Sequence, residues 1–220
     1  MAFQIAGFTS ANVAEVSGTT FRALRVQAMP VDYGSLGIYR FSWLSGTMAA
    51  GLAANSPIWS FRWGDATRLA VFQKLIGDGM AGSSTAFAAG FASFKAFFAR
   101  SFTASDTGGA ILTITGNNGK LRTSMGTTLL TEIRASTTAT LTAGTRTLDA
   151  QPLAQHAFSI GTVVSVIYIP PATPLFNEDV VGTMPIVLAQ NEGVVVQATV
   201  PATGTWQIGL TSMHAEVTAY

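Results

Sequence analysis

The chain contains no cysteine. Disulfides and thiolate chemistry are excluded, and the redox compartment is left open. Charge is also scarce. Lys, Arg, Asp and Glu make up 10% of the 220 residues, against roughly 25% in ordinary soluble domains. The 12 basic and 11 acidic residues nearly cancel, and the basic ones stand singly, with no run of three. Nucleic-acid binding draws on a concentrated basic stripe, so no nucleic-acid partner is expected. Histidine occurs twice, as His156 and His214. A metal centre needs three or four convergent ligands, and these types are too sparse to supply them. The acids adjoin only at Glu178 and Asp179, where strand alternation sends neighbours to opposite faces. There is no G-x-S-x-G elbow for a serine nucleophile. The expectation is therefore no catalytic residue, no metal and no cofactor. Long apolar runs are missing too. Residues 41–61 and 150–177 are uncharged but broken by Ser, Asn, Gln, His and Pro, unlike the apolar stretch of about 20 residues in a spanning helix. The first residues, MAFQIAGF, lack the basic and apolar regions of a signal peptide. No membrane partner is expected.

What is present is alternation. Mean hydropathy is +0.38, and the apolar residues fall at every second position between turn signals, the mark of half-buried antiparallel strands. Strands are expected at 21–28, 38–44, 58–63, 68–76, 120–125, 129–135, 145–151, 163–169, about 194–200 and 206–217. Turns at short intervals favour an antiparallel β-sandwich, jelly-roll-like and of one domain over 21–220, rather than βαβ units. Residues 1–20 are read as an N-terminal arm or first strand. A surface so poor in charge would make a lone monomer poorly soluble, so self-association is expected, with a trimer favoured.

Four local readings follow. Phe87, Phe91, Phe94 and Phe98 fit a helical period, yet Phe94, Ala96 and Phe98 also alternate against Lys95; Gly90 and the aromatic content favour a strand. Residues 77–82 (GDGMAG) spell G-x-G-x-x-G, but no amphipathic helix or acid at dinucleotide spacing follows, so a flexible loop between strands is expected. In the last strand the apolar phase changes from Trp206, Ile208 and Leu210 to Met213, Ala215 and Val217; a β-bulge at Thr211–Ser212 would bury both sets. Two aromatic rows, Tyr39-Phe41-Trp43 and Trp59-Phe61-Trp63, are expected to pair across strands in the core. Their other use is an exposed platform for a glycan, carried by Tyr39, Trp59 and Trp63. With the rows inward, Arg40 and Arg62 face outward and become interface candidates, joined by His214 and Glu216 on the solvent side of the last strand.

Several phrases resemble a family of tailed-bacteriophage virion proteins: residues 19–27 (TTFRALRVQ), 65–74 (DATRLAVFQK), 99–106 (ARSFTASD), 118–127 (NGKLRTSMGT), 147–151 (TLDAQ), 185–193 (PIVLAQNEG) and 200–206 (VPATGTW). The resemblance spans nearly the whole chain. It implies a particle component located in the virion, with other virion proteins such as the major capsid protein as partners, and it carries over no catalytic residues. Size and lack of chemistry suit a capsid decoration (cement) protein best, with a tail, neck or fibre binding module as the other reading.

Overall fold

A computed structural model describes residues 36–49, 54–82, 90–160, 173–177 and 184–220. The expected strands at 21–28 and 163–169 and the arm at 1–20 lie outside the described residues. Among the described residues thirteen strands follow in chain order: β1 (Ile38–Leu44), β2 (Met48–Ala49), β3 (Ser56–Trp63), β4 (Leu69–Gly82), β5 (Gly90–Arg100), β6 (Ala110–Ile111), β7 (Glu132–Ala135), β8 (Thr147–Leu148), β9 (Ala154–Ile160), β10 (Thr173–Asn177), β11 (Ile186–Leu188), β12 (Glu192–Thr199) and β13 (Thr205–Val217). No helix occurs among the described residues.

The strands form two antiparallel sheets. The first runs β1-β13-β4-β10, with β11 on β4 and β2 on β13; the second runs β6-β7-β3-β12-β5-β8, with β9 on β5. The chain changes sheet between β2 and β3, β3 and β4, β4 and β5, β9 and β10, β11 and β12, and β12 and β13, so many sequence neighbours lie in opposite sheets. One apolar cluster draws on both sheets: Tyr39, Phe72, Leu75, Trp206 and Leu210 from the first, Trp59, Phe61, Phe94 and Val196 from the second. Rings touch across the gap, Phe61 to Phe72 at 5.2 Å and Phe94 to Trp206 at 5.9 Å between centroids. Each Trp or Phe so enclosed stabilises the fold by about 1.5–3 kcal/mol relative to exposure. The aromatic rows of β1 and β3 are thus both inward, but they lie in different sheets and do not pair as cross-strand neighbours.

Bulges set the phase. Gln73 is the extra residue where Met213 pairs with Lys74 and His214 with Phe72. It turns Phe72 and Leu75 to the same side, and both enter the core. A second extra residue, Ile58, lets Ile58 and Trp59 both point inward. The bulge expected at Thr211–Ser212 is absent: the register from Leu210 to Met213 runs unbroken, and the irregularity sits on the partner strand β4. Trp206, Ile208 and Leu210 are therefore followed on the core side by Ser212, His214 and Glu216. Ala215 and Val217 join Val71 in a separate cluster on the other face.

Other expectations also change. Residues 77–82 are not a loop but the end of β4, paired with β13 as far as Gly82. Residues 120–125 are not a strand but turns, joined to β1 through a single bridge between Lys120 and Tyr39. From Gly90 on, the phenylalanine segment is strand, with Ala92, Phe94, Ala96 and Phe98 inward; Phe87 lies outside the described residues.

The outer face of the second sheet is covered at one end by residues 101–106. Phe102 lies over Ala99 and Val195, and this contact requires Gly193. A Cβ there would stand 2.1 Å from the Phe61 carbonyl oxygen and 2.9 Å from Phe102 Cδ1. Gly193→Ala is expected to lower stability by about 1–3 kcal/mol, the range for overpacking, at the upper end because the clash is with backbone. Urea unfolding would show it as a lower midpoint with unchanged slope.

Candidate functional site, a buried carboxylate and imidazole

β13 carries two ionisable side chains into the core, His214 and Glu216, both fully buried. Burying a carboxylate is costly unless its oxygens are bonded; here the crossing between β6 and β7 bonds Oε1, while Oε2 accepts no hydrogen bond. Glu216 Oε1 accepts from the Thr128 hydroxyl at 2.6 Å and from the Leu129 backbone N–H at 2.8 Å. Leu130 N–H in turn donates to Thr128 Oγ1 at 3.1 Å. The nearest cation is Arg68, whose Nη1 lies 4.0 Å from Glu216 Oε2.

His214 Nε2 is 3.4 Å from Thr128 Oγ1 and 3.8 Å from Glu216 Oε1. Its ring is boxed by aromatics: Tyr39 stacked at 5.3 Å, Phe41 stacked at 6.2 Å, Phe61 edge-on at 5.0 Å and Trp63 at 6.3 Å. Nδ1 has no hydrogen-bond partner. Burial pushes the imidazole below its ordinary 6.5, opposed by the hydrogen bond and charge of Glu216. Tyr39 closes the box: its one hydroxyl proton is shared between the Gly126 and Leu36 carbonyls, at 3.0 and 3.1 Å. Burial first, and Glu216 second, push it up to about 12.

Threonine, histidine and glutamate in contact invite comparison with a nucleophilic triad, but the order is wrong. In a triad the acid holds the far ring nitrogen and the near one takes the hydroxyl proton. Here the acid receives the hydroxyl proton itself, and the far nitrogen faces rings. Thr128 is also buried, beyond the reach of a substrate. The cluster acts as a tie between the crossing and the sheet.

The anticipated site residues divide sharply. Tyr39, Trp59 and Trp63 are 0%, 1% and 0% exposed; the aromatic platform is overturned, because both rows are needed to fill the space between the sheets. His214 and Glu216 are likewise not at the surface, since the unbroken register of β13 turns them inward. Arg62 is committed internally. Its guanidinium donates to the carbonyls of Phe102 and Thr103, each at 2.7 Å, and to Ser105 Oγ at 3.1 Å, tying down the loop that covers Gly193. Arg40 is exposed, as expected. His156 Nε2 donates to the Pro174 carbonyl at 2.8 Å, joining β9 of one sheet to β10 of the other. Among the described residues no three His, Cys, Asp or Glu side chains gather as metal ligands.

Missed altogether was the pair Asp106 and Arg146, which are in direct contact and almost fully buried. The Asp106 carboxylate also accepts from Gly144 N–H at 2.9 Å, and Arg146 lies over the Phe102 ring at 5.3 Å. Only the scarcity of charge could have flagged it, since the two residues lie 40 apart.

Fold and site together define an all-β protein of two antiparallel sheets in which several of the described ionisable groups, among them Glu216, Arg62, Asp106 and Arg146, serve as internal ties. Comparison of the chain with protein-family models, with curated proteins and with solved structures gives no match.

Proposed function

We propose that this chain is a non-enzymatic structural protein of a tailed-phage virion, a jelly-roll-like sandwich that decorates and cements the capsid while associating with its own copies. The observation that carries the reading is the state of its surface. Of the few charges, many are consumed within the chain: Arg100 by Asp149 and Glu192, Arg134 by Glu132, Arg146 by Asp106, Arg62 by a loop. Meanwhile Leu44, Phe91, Ile111, Leu121, Met184 and Tyr220 are each more than half exposed. Single exposed apolar residues are ordinary; what favours subunit contact is their company on a chain with so little charge to keep copies apart. The likeness of residues 65–74, 118–127 and 185–193 to virion proteins supplies the setting. Contacts of about 1,200–2,000 Å² would suffice for each specific interface, and repetition over a shell multiplies weak ones.

The test is sedimentation. Purified protein is expected to associate as its concentration rises, with a trimer favoured, and to pellet with capsids of its own phage. A monomer at every concentration that stays in the supernatant overturns the proposal.

A further inference from the structure

The crossing between β6 and β7, residues 112–131, starts and ends in the second sheet but detours over the first. Along its course it covers the outer edge of β1. The Gly119 carbonyl accepts from Arg40 N–H at 2.8 Å, and Leu121 N–H donates to the Ile38 carbonyl at 3.4 Å. Met125 Sδ accepts from Ile38 N–H at 3.5 Å, and the side chains of Met125 and Leu130 enter the core. Its deepest polar anchor is Glu216, reached by Thr128 and Leu129, with His214 beside both.

We propose that this crossing is an acid-releasable strap: protonation of His214 favours an open form in which residues 119–131 leave the sandwich and the outer edge of β1 is bared. The geometry supplies the asymmetry. Closed, His214 sits among Tyr39, Phe41, Phe61 and Trp63 with one nitrogen unpartnered, so a proton there would be held in an apolar box. Open, the same ring meets water. Around His214 and Glu216, the titratable or charged side chains among the described residues are Tyr39 from β1 and Arg68 just before β4. The neighbouring rings of β3 are the apolar Phe61 and Trp63, and the strap contributes Thr128 and backbone.

The sign follows from linkage. Burial holds the closed-form imidazole below 6.5, and opening restores the ordinary value. The closed form is therefore fully favoured above about pH 6.5 and loses ground as pH falls below it, until the closed imidazole itself titrates. One proton shifts the opening equilibrium by up to about tenfold per pH unit. Unpaired strand edges recruit other strands, so acid would also change what β1 can bind.

Hydrogen exchange read by mass spectrometry, corrected for the intrinsic pH dependence of exchange, tests this between about pH 7.5 and about pH 5.5. Protection over 119–131 is expected to fall by up to about tenfold per pH unit while β3 and β12 keep theirs. His214→Phe is expected to flatten the dependence. Thr128→Val, which removes an anchor and no titrating group, is expected to speed exchange at every pH and keep the slope. Strap protection that ignores pH in the wild type, or that falls in step with β3 and β12, overturns the proposal. Should His214→Phe fail to fold, the ring resonance of His214 in the wild-type protein decides: titration below 6.5 supports the strap, and titration at the ordinary value while the strap stays protected overturns it.

Discussion

Phe61→Ala is expected to remove about 3–5 kcal/mol of stability, the range for deleting a buried aromatic side chain. Phe61 is completely buried and stands where both sheets and the His214 box converge. Its ring contacts Trp59 at 6.2 Å, Phe72 at 5.2 Å and His214 at 5.0 Å. Truncation loses the transfer energy of the ring and leaves a cavity whose walls are large, rigid aromatics, poorly able to collapse into it. The loss is therefore placed toward the upper end. A domain of ordinary stability has about 5–15 kcal/mol in all, so the variant is expected to be close to unfolding at room temperature. Phe61→Leu keeps most of the volume and is expected to lose far less. Urea titration followed by tryptophan fluorescence checks both. Similar midpoints for Phe61→Ala and Phe61→Leu would show that the two sheets do not close on this ring.

How legible this was can be judged strand by strand. β1 was readable to the residue, because Tyr39 and Phe41 are buried while Arg40 and Ser42 are exposed, so polarity reports direction. β3 was nearly so, apart from the bulge at Ile58. β13 was not. Both of its faces are covered, and a covered strand loses the alternation that tells inside from outside. Its apolar phase changed, yet its direction did not: Met213, Ala215 and Val217 lie on the outer face, and Ser212, His214 and Glu216 lie inside. What helps hold Glu216 inside is Thr128 and Leu129, more than 80 residues away in the chain, a contact that no local pattern announces. The same holds for the glycines of 77–82. Their composition suggests a turn, while their pairing with 206–210 keeps them in the sheet. Local composition thus described the edge strand β1 well, and misjudged the turns at 120–125 and the segments whose partners lie far off.

The pair of Asp106 and Arg146 gives the second large effect, and an asymmetric one. Asp106→Ala leaves the Arg146 guanidinium buried without its counter-ion, for a loss of about 3–5 kcal/mol. Shedding the proton offers no escape: burial lowers the Arg146 pKa to about 10, still well above neutral pH, so the charge stays. Arg146→Met keeps the apolar stem over Phe102 and strands a carboxylate instead, which can take up a proton and become neutral. Its loss is expected to be smaller and to shrink further as pH falls, whereas the loss in Asp106→Ala is expected to hold steady over the same range. The double variant Asp106→Leu/Arg146→Met removes both charges at once and is expected to be more stable than Asp106→Ala alone, since no buried charge is left unpaired. Urea midpoints for the three variants at two pH values check the ranking. Equal losses for the two single variants, unchanged by acid, would mean that Phe102 is held down by the Arg62 bonds to 102–105 and that the ion pair contributes little.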